Sequence, residues 1–168
     1  MRVAIRIEIL GILFIALLGS LLHFAYDGLG RTWWVGIFAA VDESVWEHLK
    51  LAFWPAVAWI ILTGPYLAPQ ITNFWLAKAI STTLMPLIIA VGFYAYTALL
   101  GHHALLWDML LFIGAIAIGQ IVALIIYRLP YAGSASAHFA KILLIAEAAA
   151  FGTLTFLPLN LPIFVETG

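Results

Sequence analysis

The sequence predicts an all-α fold: a polytopic membrane bundle of about five transmembrane helices, with a short interfacial or re-entrant segment after the first. Three observations carry this. Of 168 residues, 65% are hydrophobic and 9% charged, with mean hydropathy +1.13, whereas a soluble domain is roughly half apolar and about a quarter charged. A water-soluble fold of this length leaves too much area exposed to hide that apolar surface. The apolar residues also fall in long continuous runs, and about 20 such residues cross a hydrocarbon core of roughly 30 Å. The runs lack the alternation of lipid-facing strands, which argues against a barrel.

Taken in order, the first span is expected at 7–25. Its apolar run is longer than a signal-peptide core and ends in His23, Tyr26 and Asp27 with no small-x-small site, so it reads as a retained span. "WWVGIFAAV", residues 33–41, is too short to cross and opens with two Trp, which favour the membrane interface. Further spans are expected at 45–67, 74–100, 105–127 and 141–159. Between them lie "YDGLGR", "GPYLAPQITN", "LGHH" and "LPYAGSASAH", all rich in turn residues. Pro86 should kink the third span. The length suits one integral membrane domain, 1–168, with no repeat or soluble module.

Net charge is −1 and Cys is absent, so neither a nucleic-acid surface nor thiolate chemistry is indicated. Inner loops of membrane proteins are enriched in Lys and Arg. With the N-terminus inside, Arg2, Arg6, Lys78, Arg128 and Lys141 fall on the inner side, and Arg31 and Lys50 outside. The expected orientation in the cytoplasmic membrane is therefore N-terminus inside and C-terminus outside. That orientation gathers Asp27, Asp42, Glu43, Glu47, Asp108 and Glu166, with His23, His48, His102 and His103, on the outer face.

The densest part of this gathering is "AAVDESVWEHLKLAF", residues 39–53. Asp42 or Ser44 can cap the second span, and "SVWE" has the capping-box spacing. On a helix Glu43, Glu47 and Lys50 would share one face, with Ser44 and His48 on the next. Imidazole beside carboxylate suits a divalent ion such as zinc without sulfur. The expected metal ligands are His23, His48 and Asp108, with Glu43 and Glu47 as candidate catalytic acids or bases. Asp27, four residues after His23, is placed to hydrogen-bond or orient that imidazole. A polar network is expected to include Ser44, Trp46, Lys50, Tyr94, Gln120 and Glu147. Gln120 and Glu147 have matching depths, so interhelical hydrogen bonding is the simplest reading and a proton or cation relay the other. Ala115/Gly119 and Ala148/Gly152 would let their two helices approach closely.

"VDESVWEHLKL", with "YAYTALLG" and "FLPLNLPIF" downstream, resembles an uncharacterised family of small prokaryotic multi-spanning membrane proteins, a domain of unknown function. The family signature is close to N-E-S-V-W-E-H-L-K, and Asp42 stands where it has Asn. The resemblance implies a membrane fold and marks Glu43, Ser44, Trp46, Glu47, His48 and Lys50. Three functions follow from the residues. A metal-assisted hydrolase of a lipid-like substrate is one, a transporter of a small solute or ion another, an accessory subunit the third. Expected partners are the lipid bilayer and a homo-oligomer or larger membrane complex, with no nucleic acid.

Overall fold

A computed structural model describes residues 1–166. Five long helices dominate: α1 (Arg2–Gly28), α3 (Val45–Leu67), α4 (Phe74–Leu100), α5 (Leu105–Ile126) and α6 (Ser134–Leu154). Each is long and apolar enough to cross a membrane. The segment after α1 holds a single helical turn, α2 (Trp33–Gly36), and a 3-10 turn (Pro162–Phe164) sits in the tail. Among the described residues the extended pairing is one antiparallel bridge, Ser44 to Glu166.

The fifth long helix departs from expectation, occupying Ser134–Leu154 rather than 141–159. Pro158 explains where it stops: proline has no N–H, and its ring clashes with the carbonyl four residues earlier, here that of Leu154. At the other end "SASAHFA" is interrupted by Ser134, Ser136 and His138 but contains no helix breaker, so the helix begins as soon as Gly133, at φ +90°, has turned the chain.

Short connections make α3, α4, α5 and α6 successively antiparallel, and α3 returns along α1, with Gly19 against Leu51 and Gly11 against Trp59. The bundle therefore has a lower end, with the starts of α1, α4 and α6, and an upper end, with the starts of α3 and α5. α1 packs on α3 and α5, while α4 packs on α3, α5 and α6. One apolar core joins Ile15, Phe53, Met85, Ile116 and Phe151. A second, nearer the lower end, joins Ala4, Ile60, Leu67, Phe74, Ala123 and Tyr127. Outside, large apolar side chains face away from the protein, among them Leu21, Phe24, Ile61, Ile121 and Ile145. An exterior this apolar requires lipid as its solvent. The expected close approach of α5 and α6 does not occur, because each packs on α4 instead. Gly119 faces Met85 and the Ser81 carbonyl of α4, and Gly152 faces Ile37.

The α1–α3 contact depends on a proline and a glycine together. Pro55 cannot donate a hydrogen bond, so the Leu51 carbonyl lacks its helical partner. Gly19 of α1 lies directly on that carbonyl, and a Cβ there would overlap it and come 2.8 Å from the Phe112 ring. Gly19→Ala should therefore push α1 away and cost about 1–3 kcal/mol, the usual range for overpacking. Gly114→Ala, where a Cβ meets nothing within 4 Å, should be neutral or slightly stabilising through helix propensity. Thermal melts of the two variants in detergent test this; equal midpoints would refute the tight approach.

Candidate metal centre

The N-terminus of α3 sets the local geometry. Ser44 is the N-cap, and its Oγ accepts from Glu47 N at 3.3 Å. Asp42 Oδ1 accepts from Ser44 N at 2.8 Å. The Glu47 carboxylate would close a capping box on Ser44 N, but it accepts from Val41 N instead, at 2.9 Å. Glu43 precedes the helix. The expected shared face of Glu43, Glu47 and Lys50 is therefore not formed. Glu43 turns outward and Glu47 inward, so the two acids serve different sites.

Outward, Glu43 meets two histidines from two helices. His48 Nε2 is 3.4 Å from Glu43 Oε2, and His23 Nε2 is 3.9 Å from Glu43 Oε1. The two imidazole rings are 5.2 Å apart. One potential ligand atom from each of His23, Glu43 and His48 lies within 4.8 Å of the others. His48 Nδ1 lies 2.8 Å from the Ser44 carbonyl. A carbonyl only accepts, so Nδ1 carries the hydrogen and neutral His48 presents its Nε2 lone pair. Tetrahedral zinc with bonds of roughly 2.0–2.1 Å needs ligand atoms about 3.3 Å apart. Small side-chain movements would close the group to that spacing. All three side chains are partly exposed, which leaves access for an ion.

Two expected neighbours are elsewhere. Asp27 Oδ1 accepts from Arg31 Nε at 2.7 Å on an exposed turn, and so does not orient His23, whose Nδ1 is buried without a hydrogen-bond partner. Asp108, expected as a third metal ligand, lies at the same end but outside the group. It accepts from the Tyr96 hydroxyl and from His103 Nδ1, the latter at 3.4 Å. Proximity in the chain decides this: the short 101–104 turn holds Asp108 against α4 and its own loop.

Inward, Glu47 is part of a closed node. Lys50 Nζ lies 2.5 Å from Glu47 Oε2, 2.8 Å from the Gly36 carbonyl and 2.8 Å from Thr155 Oγ1. Three ammonium hydrogens thus meet three acceptors, and Lys50 is fully buried. Thr155 also donates to Glu47 Oε1 at 3.0 Å. Glu47 is consumed by this network and is not placed to act as a base at the open cluster. Trp46 stacks between Phe151 and Phe164, pinning the tail over α3. Tyr94 is exposed and edge-on to Phe93.

A second buried node, at the lower end, escaped sequence reasoning. Lys78 Nζ donates to Glu8 Oε1 and Oε2 at 2.8 and 2.6 Å, and the Tyr127 hydroxyl donates to Glu8 Oε1 at 2.8 Å. Gln120 Nε2 donates to the Glu8 carbonyl at 3.4 Å. The signal was present: one acid and one base, each inside an apolar run, are costly unless paired. Gln120 and Glu147 do not bond each other, contrary to the expected link. Glu147 Oε1 instead accepts from Thr83 of α4 at 2.6 Å.

Pairing sorts the remaining charge. Glu8–Lys78, Asp27–Arg31 and Glu47–Lys50 cancel. Arg2, Arg6, Arg128 and Lys141 are the other cations of the lower end, and Asp42, Glu43, Asp108 and Glu166 the other acids of the upper end, where Glu43 and Asp108 face histidines, with Glu147 between.

An all-helical bundle with five span-length apolar helices and a His/carboxylate cluster at one end defines a multi-pass membrane protein. The chain belongs to DUF6512, a family of unknown function whose family model matches residues 3–167. No curated protein and no solved structure matches it.

Proposed function

We propose that the protein binds a divalent metal ion at its upper end through His23, Glu43 and His48, and that this end faces the outside. The observation that carries the reading is the 2.8 Å contact between His48 Nδ1 and the Ser44 carbonyl. The His48 Nδ1–H is committed to that carbonyl, so the Nε2 lone pair is aimed at the neighbouring ligands. The Ser44 carbonyl thereby plays the orienting part that an outer-shell acceptor plays for a metal-bound imidazole. Two imidazoles and one carboxylate leave a fourth position open, the arrangement of catalytic rather than structural zinc. An ion held there would polarise a bound water or a substrate oxygen. The cluster sits where α1 meets the membrane surface, beside the exposed Phe24. A lipid-like molecule fits that position, and its hydrolysis is the reaction class the donor set supports. The outward orientation rests on the four unpaired cations at the lower end and the preference of such residues for the inner side.

Protein purified without chelator should carry about one metal per chain, the loading of a single site. Added zinc at about 100 times its Kd should raise stability by about 2.7 kcal/mol. His48→Ala should abolish both effects while still folding, since His48 is partly exposed. In sealed vesicles of known sidedness, an impermeant chelator should strip the ion from the outer side only. Metal-free protein whose melting is indifferent to zinc would remove the metal reading; stripping from the inner side alone would reverse the orientation.

A further inference from the structure

α3 and α6 meet at the upper end, where Phe53 and Trp46 pack on Phe151, and below that contact an apolar groove of about 580 Å³ runs between them. Val57, Ile61, Gly64 and Ala68 form one wall, Leu144 and Ala148 the other, and Trp75 lies at the lower mouth. Gly64, Ala68 and Ala148 keep the groove open because they carry almost no side chain. From Val57 to Ala68 the helical rise is roughly 16 Å, close to one leaflet of a hydrocarbon core about 30 Å thick. The groove therefore covers the lower leaflet.

Its mouth is positively charged. Lys141 of α6 places Nζ 4.7 Å from the centroid of the Trp75 ring. Among the described residues Lys141 is exposed and has no carboxylate partner, so its ammonium hydrogens remain available to an anion. Nothing at this end opposes an anion. The acid of the lower end, Glu8, is buried and neutralised by Lys78, while Arg2, Arg6 and Arg128 are exposed. A leaflet-deep apolar slot with a cation fixed at its interfacial mouth is complementary to one occupant, an amphiphile with an anionic head.

We infer that this groove is a binding site for an anionic phospholipid of the lower leaflet, with one acyl chain between α3 and α6 and the phosphate at Lys141. The cation–π contact holds the ammonium beside the slot, and a phosphate there gains a charge-assisted hydrogen bond. A zwitterionic lipid fills the slot equally well but gains less at the mouth. The inference is independent of the metal centre, which lies at the opposite end.

Trp75 is a built-in reporter. The full chain is reconstituted in phosphatidylcholine nanodiscs containing dibrominated phosphatidylglycerol or dibrominated phosphatidylcholine. The Trp75 fluorescence is isolated by subtracting the Trp75→Phe variant. Brominated phosphatidylglycerol should quench it at a several-fold lower mole fraction than the brominated zwitterionic lipid. Lys141→Gln should bring the two curves together without changing quenching of the other tryptophans, and Ala148→Phe should weaken quenching of Trp75 by both. Equal curves in the unaltered protein, or a preference that survives Lys141→Gln, would overturn the anionic site. Protection of Trp75 from both lipids would assign the groove to a second copy of the chain and overturn it as well.

Discussion

Lys78→Met should destabilise the protein by about 3–5 kcal/mol, the cost of removing one partner of a buried ion pair. Glu8 would be left charged in an apolar bundle with the Tyr127 hydroxyl and the Gln120 amide nearby, neither able to neutralise it. Glu8→Gln should be harmful for the reciprocal reason, because it strands the buried ammonium. The informative variant is the combination of Glu8→Met, Lys78→Met and Tyr127→Phe. Well-packed apolar groups often replace a buried pair at little cost, since the desolvation of both charges disappears with them. The triple variant should therefore recover most of what either single change loses. Unfolding midpoints in one detergent measure all four proteins. A Lys78→Met protein as stable as the unaltered one would show that this pair does not hold α1, α4 and α5 together.

The second large effect is expected at Lys50. Lys50→Met deletes the donor shared by Glu47, the Gly36 carbonyl and Thr155, again at about 3–5 kcal/mol. Its signature should differ from that of Lys78, because the Lys50 node ties peripheral pieces to α3: α2 through Gly36, and the end of α6 through Thr155. Hydrogen exchange should accelerate in residues 33–41 and 155–166 before it changes in the middles of α3 and α4. Uniform acceleration along the chain would mean that the node is part of the global core instead. Thr155→Val should show the same local pattern more weakly, since it removes a neutral partner and leaves the ion pair intact.

The helices were legible because a bilayer imposes a strong and simple rule: long runs of apolar residues must be helical to satisfy their own backbone. The Ser44 cap, the short α2 turn and the meeting of His23 with His48 were legible for related reasons. Each depends on local spacing or on depth along a helix. What escaped was rotation and partner choice. Glu43 and Glu47 are four apart, yet the helix begins between them, so they face opposite ways. Lys50 and Lys78 look like loop charges when counted for topology, but both are buried in ion pairs. Gln120 and Glu147 have similar depths, but their helices each pack chiefly on α4 rather than on each other, which depth alone cannot reveal. Asp108 was assigned to the metal group from its height, whereas the Tyr96 hydroxyl one short turn away claims it.

The segregation of basic side chains to one end and acidic side chains to the other gives the molecule a permanent electrical polarity along the membrane normal. Four cations remain at one end and four acids at the other. Turning the chain over in an energised membrane would carry those eight unit charges through the voltage drop, at roughly 2.3 kcal/mol each per 100 mV. A membrane potential negative on the lower side would therefore reinforce the orientation proposed above. Collapsing the potential would remove that reinforcement while leaving every internal contact unchanged.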